Sequence, residues 1–303
     1  MLKVHLFGSG AATHDGLSLS GFPTRQAGLL FCYLVLNRSH PQPRERLAAV
    51  FWEDLPSATA RTYLRNTLWR LKGSLAAIGL LPDKVLTVGE DLVGLADPAA
   101  MWIDIVQFEN AVLNSQKSTP ATLSSQQHQE LEGAVRLYRG DLLDGIYEDW
   151  TLYERERFRL LYTNIRQKLM LHYTHLGRYE EALAHGSGLL AVDPAREKIH
   201  RQMMRLYALT GDRNAALAQF KRCKQLLRDE LDLPPMRETR RLYRQIKENR
   251  FEGQATTEMI ERESADPAIL QRLKSLQKLA GRIKAEVQSL EKQLNRKLMD
   301  VDS

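Results

Sequence analysis

Thr62, Arg65, Asn66, Trp69 and Arg70 carry the most legible chemistry in this chain of 303 residues. Asn can form paired hydrogen bonds with an adenine edge and Arg with a guanine edge, so these side chains on one helix face suit base reading in a major groove. From Ala58 to Ile78 the residues Leu64, Leu68, Leu71 and Leu75 recur at i, i+4, i+7 and i+11, which is the period of an amphipathic helix. At about 100° per residue the polar set falls roughly opposite those leucines. Arg61 and Lys72 flank the seam, where phosphate contacts would sit. No Asp or Glu occurs between Asp54 and Asp83, so the exposed face is cationic. The competing reading is an ordinary surface helix with solvated charges, and the neighbouring elements weigh against it.

Those elements are a set. Thr24 to Leu36 reads as a buried helix, and Pro43, suited to a first turn, opens a second from Arg44 to Val50. After the polar helix, Lys84 to Val88 and Leu92 to Leu95 read as short strands around Gly89-Glu90-Asp91. Three helices and a hairpin make a winged helix-turn-helix. Leu2 to Phe7 alternates as a strand, so a small sheet precedes the helices.

Length predicts two or three domains. The formal net charge of +6 and pI near 9.3 favour an anionic partner, though placement matters more than the sum. Cys32 and Cys223 suit a reducing compartment without a disulfide framework. Neither a secretory leader nor an apolar run of about 18 residues is legible, so the expectation is a cytoplasmic chain that does not span a membrane.

Catalytic chemistry is not legible. His172 and His175 lack a companion that would complete a metal set. Gly8-Ser9-Gly10 lacks the Lys-Ser/Thr ending and the following helix of a phosphate loop. Glu148-Asp149 and Glu180-Glu181 read as helical surface pairs, and no nucleophile stands beside a base. The expectation is no enzyme, no metal and no cofactor.

A second pattern is an internal period. Tyr173, Gly177, Ala182 and Leu183 recur as Tyr207, Gly211, Ala216 and Leu217, each pair 34 residues apart, which is the tetratricopeptide spacing. Each unit reads as a helical hairpin, with Ala at the close approach, Gly in the turn and Tyr filling between layers. Asp193-Pro194 and Leu233-Pro234-Pro235 fall where units should end. Earlier helices over 104–113, 125–139 and 150–171 would continue the stack, with Tyr138-Arg139-Gly140-Asp141-Leu142-Leu143 as a turn between them.

These residues resemble the SARP family of bacterial transcription activators, in which an OmpR-like winged helix precedes a bacterial transcriptional activator domain of helical repeats. In the first part the resemblance rests on Leu47 to Glu53, Ala60-Arg61 and the leucine ladder. In the second it rests on Tyr138 to Leu143, Asp149-Trp150, Asp193-Pro194 with Glu197 and His200, Tyr207, Gly211-Asp212-Arg213 and Ala216-Leu217. Glu230-Leu231 and Pro235 to Glu238 close the pattern, which covers roughly residues 1–248. The chain departs from it at the wing, with Val93-Gly94 for the usual Gly-Tyr and the acidic Glu90-Asp91 at the tip. It also departs at Gly73, where relatives carry Arg, and at Asp232, where they carry Gly.

The resemblance implies a mainly α fold: a winged-helix DNA-binding domain over 1–97 and a TPR-like activator domain over 98–248. It implies binding to promoter direct repeats, with the turn Trp52-Glu53-Asp54-Leu55-Pro56 facing RNA polymerase. Residues 249–267 read as a linker. Beyond it, Leu273, Leu276, Ile283, Val287, Leu290 and Leu294 belong to an a/d heptad seam over 268–303, which predicts a coiled-coil homodimer or a helix folded back on the repeats. The function expected is sequence-specific transcription activation on double-stranded DNA. The alternative is a repeat scaffold whose winged helix binds protein. An unidentified effector, the operator and the target genes are not legible.

Overall fold

A computed structural model of the chain describes residues 1–18 and 24–251. The linker beyond 251 and the predicted coiled-coil seam, with Leu273, Leu276, Ile283, Val287, Leu290 and Leu294, lie outside the described residues. The chain divides into two compact units, Met1–Lys117 with Ser124–Arg159, and Ser118–Leu123 with Leu160 onward.

In the first unit, β1 (Leu2–His5) pairs antiparallel with β2 (Ala11–His14), which pairs with β3 (Leu17–Ser18). Leu2, Val4 and Leu6 are buried, as their alternation predicts. Thr24 caps α1 (Arg25–Leu36) by accepting from the Ala27 N–H, and apolar residues fill that helix. Strand β4 (Gln42–Pro43) leads into α2 (Arg44–Phe51), with Pro43 just ahead of the first turn. After a short turn comes α3 (Ser57–Ala77). Pro82–Val85 forms a single helical turn, α4, so the strand expected from Lys84 starts only at β5 (Leu86–Val88). Pro82 favours that turn by fixing its φ at a helical value. With β6 (Leu92–Leu95) and β4, β5 makes the three-stranded wing sheet. A Cβ at Gly94 would stand 3.1 Å from Pro41 Cα, a tight contact that would require the chain before β4 to shift by a few tenths of an ångström.

Strand β7 (Trp102–Ile103) runs parallel to β1 and feeds α5 (Asp104–Ser115), followed by α6 (Ser125–Leu137) and α7 (Asp149–His175). Asp104, 1% exposed, fixes this return: its carboxylate accepts the N–H groups of Leu6, Phe7 and its own neighbour Ile105. Burial pushes its carboxyl above the ordinary aspartate range, and those three donors oppose the shift. Phe7 also meets Phe108, Phe158 and Tyr138 at ring-centroid distances of 5.0–5.3 Å. Helices α5 and α6 and the start of α7 therefore belong with the N-terminal strand, and the first compact unit extends past the boundary expected at 97/98. The Tyr138-to-Leu143 turn adds a bridge from Leu142 to Phe7, and Arg155 ties it down through the carbonyls of Leu142, Leu143 and Ile146.

The second unit is helical. After the end of α7 come α8 (Tyr179–Val192), α9 (Glu197–Leu209), α10 (Arg213–Leu231) and α11 (Arg237–Lys247). The 34-residue offset is structural. Gly177 and Gly211 turn the chain at φ +70° and +81°, and Ala182 and Ala216 are fully buried, each in the first turn of its helix, α8 or α10. Asp232 takes the left-handed conformation, φ 52°, at the position where the family resemblance expects glycine.

Candidate nucleic-acid interface

Helix α3 divides into two faces. Ala60, Leu64, Thr67, Leu68, Leu71 and Leu75 are buried, so the predicted ladder docks on the first unit's core. Arg61, Thr62, Arg65, Asn66, Trp69 and Arg70 are exposed, and Lys72 is half-buried. Trp69 stands 76% exposed, although its indole would gain from burial. Thr62 Oγ1 donates back to the Ala58 carbonyl, so its hydroxyl remains on the helix in the unbound chain.

Two acids outside α3, one on the helix before it and one on the turn after it, reach this helix in space. Glu45 on α2 sits 3.7 Å from Arg61, and Asp83 on α4 sits 2.8 Å from Lys72. Both flanking cations predicted as phosphate contacts are thus paired, while Arg65 and Arg70 have no ion-pair partner among the described residues. Exposed pairs of this kind contribute little and are screened by salt, so a polyanion can displace the carboxylates.

The wing is fastened to the same body. The backbone N–H of Arg44 donates to the Asp91 carbonyl at 2.9 Å, and its guanidinium Nε donates to the Gly89 carbonyl at 3.0 Å. The exposed acids Glu90 and Asp91 lie at this tip, an unfavourable charge for a phosphate neighbour. Gly73 faces open space, with no atom within 4 Å of where a Cβ would stand.

Before α3, the turn carries Trp52, half-buried, and the exposed Glu53, Asp54 and Leu55. A groove of about 240 Å³ lies between α2 and α3, with Ala48, Ala49, Ala60 and Trp52 among its walls and Glu45 and Glu53 as its acids. Sequence reading missed Tyr63, which is 51% exposed and 6.3 Å from the Trp52 ring. Its position on the helical wheel was the available signal.

Among the described residues, no group of three or more His, Cys, Asp or Glu could hold a metal ion. His172 binds the Pro120 carbonyl through Nδ1 at 2.8 Å. Burial pushes the thiols of Cys32 and Cys223 up to about 12, which leaves them unreactive at neutral pH. No described helix is long and apolar enough to cross a membrane.

The family motifs of the second unit hold helices together. The Glu197 carboxylate accepts the Met236 N–H at 2.7 Å, just where α11 starts. His200 contacts the Pro194 carbonyl through Nε2 at 2.8 Å, and Gln219 Nε2 lies 2.7 Å from its Nδ1. Arg201 donates to Thr239 Oγ1 on α11.

Fold and comparisons together define a class. Residues 103–247 match the bacterial transcriptional activator domain, which here follows a winged helix. The chain is similar to SARP-type transcriptional regulators. The transcriptional regulatory protein EmbR of Mycobacterium tuberculosis is 27% identical over 241 residues, covering 77% of this chain and 60% of EmbR. The chain therefore spans about 60% of that relative's length. The regulatory protein AfsR of Streptomyces coelicolor is 25% identical over 240 residues, covering 77% of this chain but 23% of AfsR. The solved structure of M. tuberculosis EmbR in complex with a low affinity phosphopeptide shares the fold, with TM-score 0.66 and 23% identity over 89% of this chain and 71% of that one.

Proposed function

We propose that the chain activates transcription by binding double-stranded promoter DNA through α3 and bringing RNA polymerase to the turn before it. The carrying observation is the face of Thr62, Arg65, Asn66, Trp69 and Arg70, exposed without an acid of its own helix and backed by a fully docked leucine ladder. In this reading Asn66 and Arg70 contact base edges, while Arg61 and Lys72 exchange Glu45 and Asp83 for phosphates. Trp52, Glu53 and Asp54 face the polymerase, supported by their position beside an acid-rimmed groove. The 34-residue hairpins serve as TPR-type interaction repeats. Two protomers occupy direct repeats about one helical turn apart, acting in the cytoplasm.

Binding-site selection with the full chain tests this reading. Arg70→Ala should relax one position of the selected motif at a cost of about 1–3 kcal/mol. An unchanged motif at unchanged affinity would remove Arg70 from base reading. Absence of any salt-sensitive DNA binding would favour the scaffold alternative, in which the α2–α3 groove docks protein.

A further inference from the structure

Residues 213–250 hold eleven Lys and Arg against five Asp and Glu, a surplus of six that equals the formal net charge of the whole chain. The rest of the sequence is therefore balanced, and the basic character resides in the last helical hairpin. On α11, Thr239, Leu242 and Ile246 form the buried stripe, and Arg237, Arg240, Arg241, Arg244 and Lys247 cover the opposite face, all exposed. None of these five has an ion-pair partner among the described residues. Other arginines of the same unit are engaged: Arg178 with Glu181, Arg196 with Gln167, Arg201 with Thr239.

The cationic face is also held in place. Arg213 donates to the carbonyls of Ile246 and Lys247, closing the last turn of α11. The Phe220 and Tyr243 rings stack at 4.1 Å, and Glu197 anchors the helix start at Met236. Five cations on a fixed helix repel one another, at a cost recovered when a polyanion lies against them.

From these observations we infer that the exposed face of α11 is a second phosphate-contacting surface for duplex DNA, independent of sequence. From Arg237 to Lys247 the helix spans about 15 Å, the axial length of roughly four phosphates on one strand. A stable protein interface is commonly built around an apolar centre. The exposed apolar residues here, Leu231, Leu233 and Met236, stand before the helix and not among its arginines. The inference rests on the DNA-binding reading above and adds to it a source of affinity that carries no sequence information.

The test is fluorescence anisotropy of the full chain on a random-sequence duplex of about 40 base pairs, between about 50 and 200 mM salt. Three proteins are compared with the parent: Arg237, Arg240, Arg241 and Arg244 all changed to Gln, the same four changed to Lys, and Arg65→Gln with Arg70→Gln. The glutamine set should flatten the salt slope by about 0.9 for each phosphate no longer neutralised and weaken binding roughly tenfold or more at the lowest salt, with helicity unchanged. The lysine set should keep the parent slope. An unchanged slope in the glutamine set, while the α3 pair weakens binding, would reduce α11 to a solvated face and leave the DNA reading standing. A parent chain that does not bind the duplex would overturn the DNA reading itself. Competition by polyglutamate as effective as by unlabelled duplex would assign the face to an acidic protein and overturn the inference.

Discussion

Lys72 Nζ lies 2.8 Å from Asp83 Oδ1, so a cation of α3 that sequence alone would offer to a phosphate is held by a carboxylate from the following helical turn. Asp83 is 86% exposed and Lys72 35%, a pair whose contribution to the fold is small and whose effect on an approaching polyanion is repulsive.

Asp83→Asn is therefore expected to leave the melting temperature essentially unchanged while tightening binding to duplex DNA roughly threefold at low salt. Anisotropy on the same duplex, with a thermal melt alongside, measures both. Equal or weaker binding would mean that Lys72 does not reach the phosphates.

Asp104 joins the N-terminal strand to the start of α5, through the N–H groups of Leu6 and Phe7. Asp104→Asn keeps the shape but sets an amide N–H₂ against backbone donors, and should cost about 2–3 kcal/mol. Chemical denaturation reads this directly. A loss under about 0.5 kcal/mol would show that the strand end is satisfied without the carboxylate.

His200 is fully buried, and desolvation holds its pKa below the ordinary histidine value of 6.5. The folded state thus prefers the neutral ring, while the unfolded chain takes up a proton near pH 6.5. The stability due to this group is present above that pH and is lost as pH falls through the lower, folded value. Melts across the acidic range should show the loss, and His200→Gln should flatten it there while lowering stability at neutral pH. An identical slope in parent and variant would place the acid sensitivity elsewhere.

The heptad residues Leu273, Leu276, Ile283, Val287, Leu290 and Leu294 motivate a prediction about assembly, because each large apolar side chain left in water forgoes about 1.5–3 kcal/mol. The full chain should be a homodimer in solution, and a chain ending at Pro267 a monomer. Light scattering on both decides it. A monomeric full chain with undiminished helicity would assign the seam to its own repeats.

Much of the candidate interface was legible because helical period and burial are local properties: the four leucines that fix the inward face of α3 also fix what faces outward. The buried helix from Thr24 and the place of Pro43 at the start of α2 were legible for the same reason. The motifs Glu197, His200 and Tyr138 to Leu143 were recognisable as patterns, but their purpose was not. Each works through a partner remote in sequence: Met236 for Glu197, Gln219 for His200, Phe7 for Leu142.

The sequence by itself determined the order of helices and wing, the cationic face of α3, the 34-residue period and the concentration of charge in its last hairpin, since each depends on residue type at short spacing. Only the tertiary structure decided that Glu45 and Asp83 reach α3, that β7 returns beside β1, and that Asp104 carries α5 and α6 into the first compact unit. These pairings join separate elements, β7 and Asp104 across nearly a hundred residues. The β7 and Asp104 contacts draw their energy from removing particular groups from water together, whereas the Glu45 and Asp83 pairs stay exposed and add little; no local pattern records either.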